Sequence, residues 1–327
     1  MLRLGTGKSD LERAAKLLRA GELVAFPTET VYGLGADASN PDAVARIFEA
    51  KGRPADHPVI VHLPSAGLLQ DWARNVPSAA LRLADAFWPG PLTLVLERAS
   101  GVSDLITGGQ HTIGVRVPNH PVALALLRAF GGALAAPSAN RFGRVSPTTA
   151  DHVIAEFGDE VAAVIDAGPC QIGVESTIVD LTGDRPRLLR PGMIGNAALE
   201  AVLGETLERP GAGQGPRASG RLEWHYAPSA PVELVAPEAL PARVEAVVRS
   251  GEHPVVLGWS GVPAGEAVTT IAMPRQPLQY ARRLYAELRN ADAQSPDCIL
   301  VERPPETAGW DAIRDRLTRA AGKSDRG

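Results

Sequence analysis

Only two cysteines, Cys170 and Cys298, occur in the 327 residues, far apart and without a CxxC pair. That spacing excludes a disulfide framework, a zinc ribbon and a thioredoxin-type redox site, and it suits a reducing compartment. Long hydrophobic runs are also missing, since none approaches the roughly 20 residues that a bilayer-crossing helix needs. The N-terminus carries Arg3, Lys8, Asp10, Glu12 and Arg13 where a signal peptide would be apolar, so a cytoplasmic protein with no membrane attachment is expected. Charge is balanced: 21% of residues are charged and the formal net charge is -4, which excludes a disordered acidic tail and a strongly basic nucleic-acid coat. Any contact with RNA is therefore local. No fixed-period repeat is present, which sets solenoids and propellers aside.

What the chain does have is a hydrophobic content of 45%, ample for two buried cores at this length. The spacing predicts a helix over 9–20, where Leu11, Ala14, Ala15 and Leu18 share a face, with Ser9 and Glu12 as a capping box and Gly21 as the stop. A strand over 23–26 follows, then a helix capped by Asn40 with Pro41 at its first position. Further strands are expected at 59–62, 92–97, 112–117, 133–136, 162–166, 177–181 and 187–189, with helices near 78–87, 122–130 and 149–157. These elements make a mixed α/β domain over 1–204. Gly and Pro recur too often from Glu208 to Gly220 for a regular element, so 205–230 reads as a linker. Strands at 232–235, 254–257, 269–272 and 298–301 and helices at 278–291 and 310–321 then form a small α/β domain over 231–327.

Gly5-Thr-Gly-Lys-Ser9 imitates the end of a P-loop, but Leu2 stands where the motif needs Gly, and four preceding residues leave no room for its strand. The informative run is Phe26-Pro-Thr-Glu-Thr-Val-Tyr-Gly-Leu-Gly35: a strand breaks at Pro27 into a Thr-rich turn that exposes hydroxyls and backbone N–H groups where α/β ligands bind, or into a plain polar turn. Lys51-Gly-Arg53-Pro sets two cations around a glycine, fit for a polyphosphate or for complementing a helix C-terminus. In Thr112-Ile-Gly-Val-Arg-Val117 the two-residue period gives one face to Ile113, Val115 and Val117 and the other to Thr112, Gly114 and Arg116. The second face can grip a carboxylate or phosphate through Arg116, unless it is simply solvated. Ala135-Ala-Pro-Ser-Ala-Asn140, Gly173-Val-Glu-Ser-Thr-Ile178 and Arg190-Pro-Gly192 add small residues, hydroxyls and a further cation.

Together these motifs, with Trp88-Pro-Gly-Pro-Leu-Thr-Leu-Val-Leu96, resemble the YrdC-type threonylcarbamoyl-AMP synthase family over most of residues 22–193. His225-Tyr-Ala-Pro228 and Leu284-Tyr-Ala-Glu-Leu-Arg289 resemble the linker end and second domain of its long form. The resemblance implies an open, twisted mixed-sheet domain enclosing a basic cavity, followed by a Rossmann-like α/β domain. It implies ATP, L-threonine and bicarbonate as substrates, magnesium held chiefly by the phosphates, and a product handed to a tRNA threonylcarbamoyl-transferase complex. The carbamate of threonine attacks the α-phosphorus and expels pyrophosphate, so catalysis is positioning and charge neutralisation, without an enzyme nucleophile.

By the same matching, Lys51, Arg53, Ser138 and Asn140 form the catalytic quartet. ATP falls to Arg53, His57, Thr112, Ser138, Ser146, Arg190 and Tyr226, and L-threonine to Thr30, His62, Arg116, Ala136 and Ser176; no protein metal site is expected. His57 stands where family members often have Asn, and Gly220-Arg-Leu-Glu-Trp224 replaces a Gly-Met-Lys-Tyr-Arg run, so Arg221 and Trp224 are the nearest substitutes. A carbamoyl-adenylate-forming carbamoyltransferase and a non-catalytic binder of double-stranded RNA are the alternative readings. Residues 209–228 are expected to act as a lid over the nucleotide.

Overall fold

A computed structural model describes residues 1–211, 214–220, 225–260 and 268–322. The chain divides into two compact units: Met1–Phe142, Pro147–Gln171 and Glu175–Arg221 form the first, and Gly143–Ser146, Ile172–Val174 and Leu222–Gly327 the second.

The first unit runs β1 (Leu2–Leu4), α1 (Lys8–Arg19), β2 (Val24–Phe26), β3 (Gly33–Asp37), α2 (Pro41–Lys51), β4 (Ile60–His62), α3 (Leu69–Trp72), α4 (Ser78–Phe87), β5 (Leu92–Glu97), α5 (Asp104–Thr107), β6 (Thr112–Arg116), α6 (Pro121–Phe130), β7 (Leu134–Ala135), α7 (Ala150–Phe157), β8 (Ala163–Ile165), β9 (Thr177–Asp180), β10 (Arg187–Arg190) and α8 (Asn196–Leu203). Its ten strands make one mixed sheet in the order β1-β8-β2-β3-β7-β4-β6-β5-β9-β10.

Alternation along the strands sorts the two faces. On one face Ala25, Leu34, Ala36, Val61, Leu94, Leu96, Ile113, Val115, Ala135, Val164 and Val179 join a single core that includes Ile47 of α2 and Leu83 of α4. On the other, Val24, Phe26, Leu134, Ala163 and Ile165 pack under Leu11, Ala14, Ala15 and Leu18 of α1 and Ala123, Leu126 and Leu127 of α6. Each of those buried leucines contributes about 1.5–3 kcal/mol. The same face continues beyond these helices: the parallel register of β4 and β6 sets Ile60 beside Gly114 and His62 beside Arg116. There a small apolar group of Val95, Ile178 and Leu189 is met by the partly buried Ile60 and Ala218.

Four expectations are corrected. Ser9 is no helix cap: α1 begins a residue earlier, Gly7 occupies the cap without a side-chain bond, and Asp10 accepts from the Gly5 N–H instead. A strand does precede Gly5, because three residues suffice to pair β1 in parallel with β8. Gly33 and Gly35 are not a turn; they open β3, where a Cβ on Gly35 would sit 2.8 Å from the Phe26 ring. The threonines beside them are buried rather than exposed: Thr28 is 2% and Thr30 0% accessible. Asn40, by contrast, caps α2 as its sequence requires, accepting from the N–H groups of Asp42 and Ala43.

The second unit contains β11 (Val232–Val235), α9 (Leu240–Arg249), β12 (Pro254–Gly258), β13 (Thr269–Ala272), α10 (Pro277–Asp292), β14 (Cys298–Glu302) and α11 (Asp311–Ala321). Its four strands are all parallel in the order β11-β14-β12-β13. Helix α9, which the sequence reading missed, puts Leu240, Val244 and Val247 onto Val235, Val256 and Leu300. Among the described residues, no helix is long and apolar enough to cross a membrane.

Candidate functional site: buried cations on the open half of a sheet

Among the described residues, four cations of the first unit are more than nine-tenths buried: Lys51, Arg53, Arg116 and Arg190. Burying a charge is costly unless polar groups or an opposite charge receive it, so the partners of each cation decide what the site can hold.

Lys51 ends α2, and Gly52 in the left-handed conformation turns the chain away behind it. Its Nζ donates to the carbonyls of Ser138 (2.6 Å) and Asn140. Burial, reinforced by the neighbouring Arg53, holds its pKa well below the usual lysine value. Arg53 donates to the Pro58 carbonyl (2.8 Å) and to Ser219 Oγ (3.3 Å). His57 is half-buried with its ring edge-on to Phe142, and burial followed by Arg53 lowers its pKa. Arg190 donates to the carbonyl and hydroxyl of Ser176 (both 3.0 Å) and to the Ser219 carbonyl (3.0 Å). Ser176 Oγ also lies 2.8 Å from Thr93 Oγ1.

Arg116 differs from these. Its Nη1 donates to Thr30 Oγ1 (3.0 Å), its Nε to the Gly90 carbonyl (3.2 Å), and its Nη2 lies 2.6 Å from Glu29 Oε1, a carboxylate only 3% exposed. His62 stands beside Arg116 across the strand pair; burial first, then the Arg116 charge, push its pKa down to about 3, so the imidazole is neutral at pH 7. Ala136 is buried next to this group, its N–H bonded to the Ile60 carbonyl.

The structure thus brings Thr30, His62 and Arg116 together, joins Ser176 to Arg190, and ties Lys51 to the Ser138–Asn140 backbone. Thr112 lines a crevice with Ile60, Thr93 and Gly114, roofed by Arg217, Ala218 and Ser219 of the linker. The room left in it is about 20 Å³, enough for roughly one water. Ser146 and Tyr226 belong to the second unit. There Tyr226 has φ 63°, stacks on Tyr285 with centroids 5.8 Å apart, and has the Arg316 guanidinium 5.2 Å from its ring centre. Arg221 and Trp224 lie outside the described residues. Glu29 and Thr93 were missed from sequence. A charged residue inside an otherwise apolar and hydroxyl-bearing turn was the available signal for Glu29, whereas Thr93 sits in a hydrophobic strand with nothing to mark it.

A mixed α/β sheet with a half-face covered by a linker strap in place of a helix, and with buried cations and hydroxyls gathered beside it, defines a binder of small anionic molecules, phosphates and carboxylates among them. The Sua5, YciO and YrdC family model, described as telomere recombination, matches residues 16–192, and one described as the C-terminal domain of threonylcarbamoyl-AMP synthase matches residues 194–322. The threonylcarbamoyl-AMP synthase of Bacillus subtilis is 42% identical over 98% of this chain and 95% of its own length. That of Pyrococcus abyssi is 43% identical over 94% and 93%. A solved structure of P. abyssi Sua5 complexed with L-threonine superposes with a TM-score of 0.93 at 40% identity, covering 98% of this chain and 97% of the other. The chain belongs to the Sua5/YciO/YrdC family, in its two-domain form.

Proposed function

We propose that this chain makes L-threonylcarbamoyl-AMP and pyrophosphate from L-threonine, bicarbonate and ATP, supplying the activated group for threonylcarbamoyl-adenosine in tRNA next to the anticodon. The observation that carries this reading is the set of four buried cations, three of them bonded to carbonyl and hydroxyl oxygens that incoming phosphates can supplement. Lys51 and Arg53, with Ser138 and Asn140, meet the polyphosphate; Arg190, Thr112, His57, Ser146 and Tyr226 complete the nucleotide side. Thr30, His62, Arg116, Ala136 and Ser176 hold threonine, with Arg116 on its carboxylate. Once the amine has become a carbamate, its oxygen attacks the α-phosphorus, and the cations offset the charge that develops on the departing pyrophosphate.

Magnesium accompanies the ATP in this reading. Among the described residues no three carboxylates, imidazoles or thiols gather to cage a metal. The neutral oxygens of Ser138 and Asn140 suit a hard cation already held by phosphates, and bound there it would neutralise phosphate charge. Two free cysteines fit a cytoplasmic setting, from which the product passes to a tRNA threonylcarbamoyl-transferase complex.

The linker acts as a lid. Residues 217–219 close the crevice that Thr112 lines, and Ser219 occupies both Arg53 and Arg190. With so little room left beneath it, a nucleotide base enters only after this strap lifts, and closure afterwards keeps water from the acyl adenylate.

The test is pyrophosphate release from ATP with each amino acid in turn, with and without bicarbonate. Release that depends on both threonine and bicarbonate is expected, and Lys51→Met should lower it about 100- to 1000-fold while retaining a cooperative melt. Release without threonine would favour the carbamoyl-transferring alternative, and salt-dependent RNA binding without release would favour the RNA-binding one.

A further inference from the structure

Thr28 fixes the turn between β2 and β3: its Oγ1 accepts from the N–H groups of Thr30 and Val31 (both 3.2 Å) and donates to the Val31 carbonyl (2.6 Å). The side chain of Glu29, held between the two threonines, is thereby committed to the interior. Its Oε1 is 2.6 Å from Arg116 Nη2, yet neither carboxylate oxygen has a donor in hydrogen-bonding geometry. An ionised carboxylate can accept about four hydrogen bonds. One that is 3% exposed and receives only a misaligned guanidinium therefore retains unmet demand.

The surrounding groups do not meet it. The His120 imidazole and the Cys170 thiol are electrostatic neighbours of Glu29; burial lowers the pKa of the first and raises that of the second, which favours the neutral form of both. His62 is neutral as well. The Glu29–Arg116 contact then sets one anion against one cation. An α-amino acid carries the complementary pair on a single carbon, and it can enter by exchanging partners, carboxylate to guanidinium and ammonium to carboxylate.

We propose that Glu29 is the ammonium-recognition residue of this pocket and sets its preference for amino acids over the corresponding hydroxy acids. The proposal rests on the reading that Arg116 receives the substrate carboxylate. A zwitterion leaves the Glu29–Arg116 pair balanced, whereas a hydroxy acid adds an uncompensated negative charge beside Glu29 and offers it only the neutral donor of a hydroxyl.

Calorimetric titration of the full chain tests this with three probes: L-threonine, 2,3-dihydroxybutanoate of the same configuration, and L-threoninol, which lacks the carboxylate. The unaltered protein is expected to prefer threonine to the dihydroxy acid by about thirtyfold or more. Glu29→Gln should bring that ratio to within about threefold, because the amide no longer discriminates the ammonium charge. Glu29→Asp retains a counter-charge for Arg116 and is the variant to rely on if the glutamine protein does not melt cooperatively; withdrawn by one methylene, it should bind threonine about tenfold more weakly. Equal binding of threonine and the dihydroxy acid by the unaltered protein would overturn the proposal. So would an unchanged ratio in Glu29→Gln, or unchanged threonine affinity in Glu29→Asp. Threoninol binding as tightly as threonine would overturn the carboxylate reading of Arg116, whatever the Glu29 ratio, so the two failures are separable.

Discussion

One face of the ten-stranded sheet has two halves built by the same alternation and put to opposite uses. Beneath α1 and α6, inward positions such as Phe26, Leu134 and Ile165 are apolar and sealed by leucines. Past the edge of those helices, the same face presents His62, Arg116, Thr93 and Gly114, and its apolar remnant is covered by Ala218 of the linker. Strand register alone cannot tell core from site; what lies over the strand decides. A helix is a permanent cover whose apolar stripe demands apolar partners. A Gly/Pro-rich strap can leave, and it bonds through carbonyl and hydroxyl groups that a phosphate can replace.

The contrast is tested most severely at Arg116. Arg116→Ala removes the counter-charge of a buried carboxylate as well as the proposed substrate contact, and should cost about 3–5 kcal/mol of stability in urea melts. It should also raise the threonine requirement about thirtyfold without a comparable change for ATP. Arg116→Met combined with Glu29→Gln should recover most of the stability and none of the threonine response; a double variant as unstable as the single one would show that Glu29 is not what makes Arg116 indispensable. On the helix-covered half, Leu18→Ala should cost about 3 kcal/mol and leave both substrate requirements unchanged, since Leu18 is wholly buried in apolar packing. Altered ATP or threonine dependence in that variant would erase the division between the halves.

A smaller effect is expected from acid. In the folded protein His62 stays neutral down to about pH 3, whereas in the unfolded chain it takes up a proton near its ordinary value of 6.5. Above 6.5 both states are neutral and stability does not respond; as pH falls below 6.5 the unfolded state binds the extra proton and stability declines, by up to about 1.4 kcal/mol per pH unit. His62→Asn should flatten this limb in melts between pH 6.5 and 5, and an unchanged slope would mean that His62 is solvated. The smallest effect belongs to the strap. Ser219→Ala removes a hydroxyl that bonds Arg53 and the Pro58 carbonyl, worth about 1 kcal/mol or less, and should ease ATP binding by no more than about fivefold. Weaker ATP binding would show that the strap assists the nucleotide instead of competing with it.

Much of this was legible in the chain. The Thr112–Val117 alternation gave both the core positions and the cationic face, and the Asn40-Pro41 cap fixed the start of α2, because period and capping are local properties. Gly33 and Gly35 resisted reading: glycines after a proline suggest a turn, yet both lie in β3, and Gly35 is required there by the Phe26 ring packed against it, a contact made across strands. Helix α9 was hidden by Pro241, which sits in the first turn, where proline is tolerated. Glu29 was read past for a related reason. Its importance comes from Arg116, 87 residues later in the chain, and no local pattern announces such a partner.

The discontinuity of the second unit has a consequence for synthesis. Residues 143–146 are held there by contacts such as the bond from Arg289 to the Val145 carbonyl, across 144 positions, and the pairing of Arg144 with Asp292. At roughly 5–20 residues per second, that interval takes a ribosome about 7–30 s. For that time residues 143–146, made early, wait for a helix not yet translated, and the second unit closes only once all of its segments have emerged.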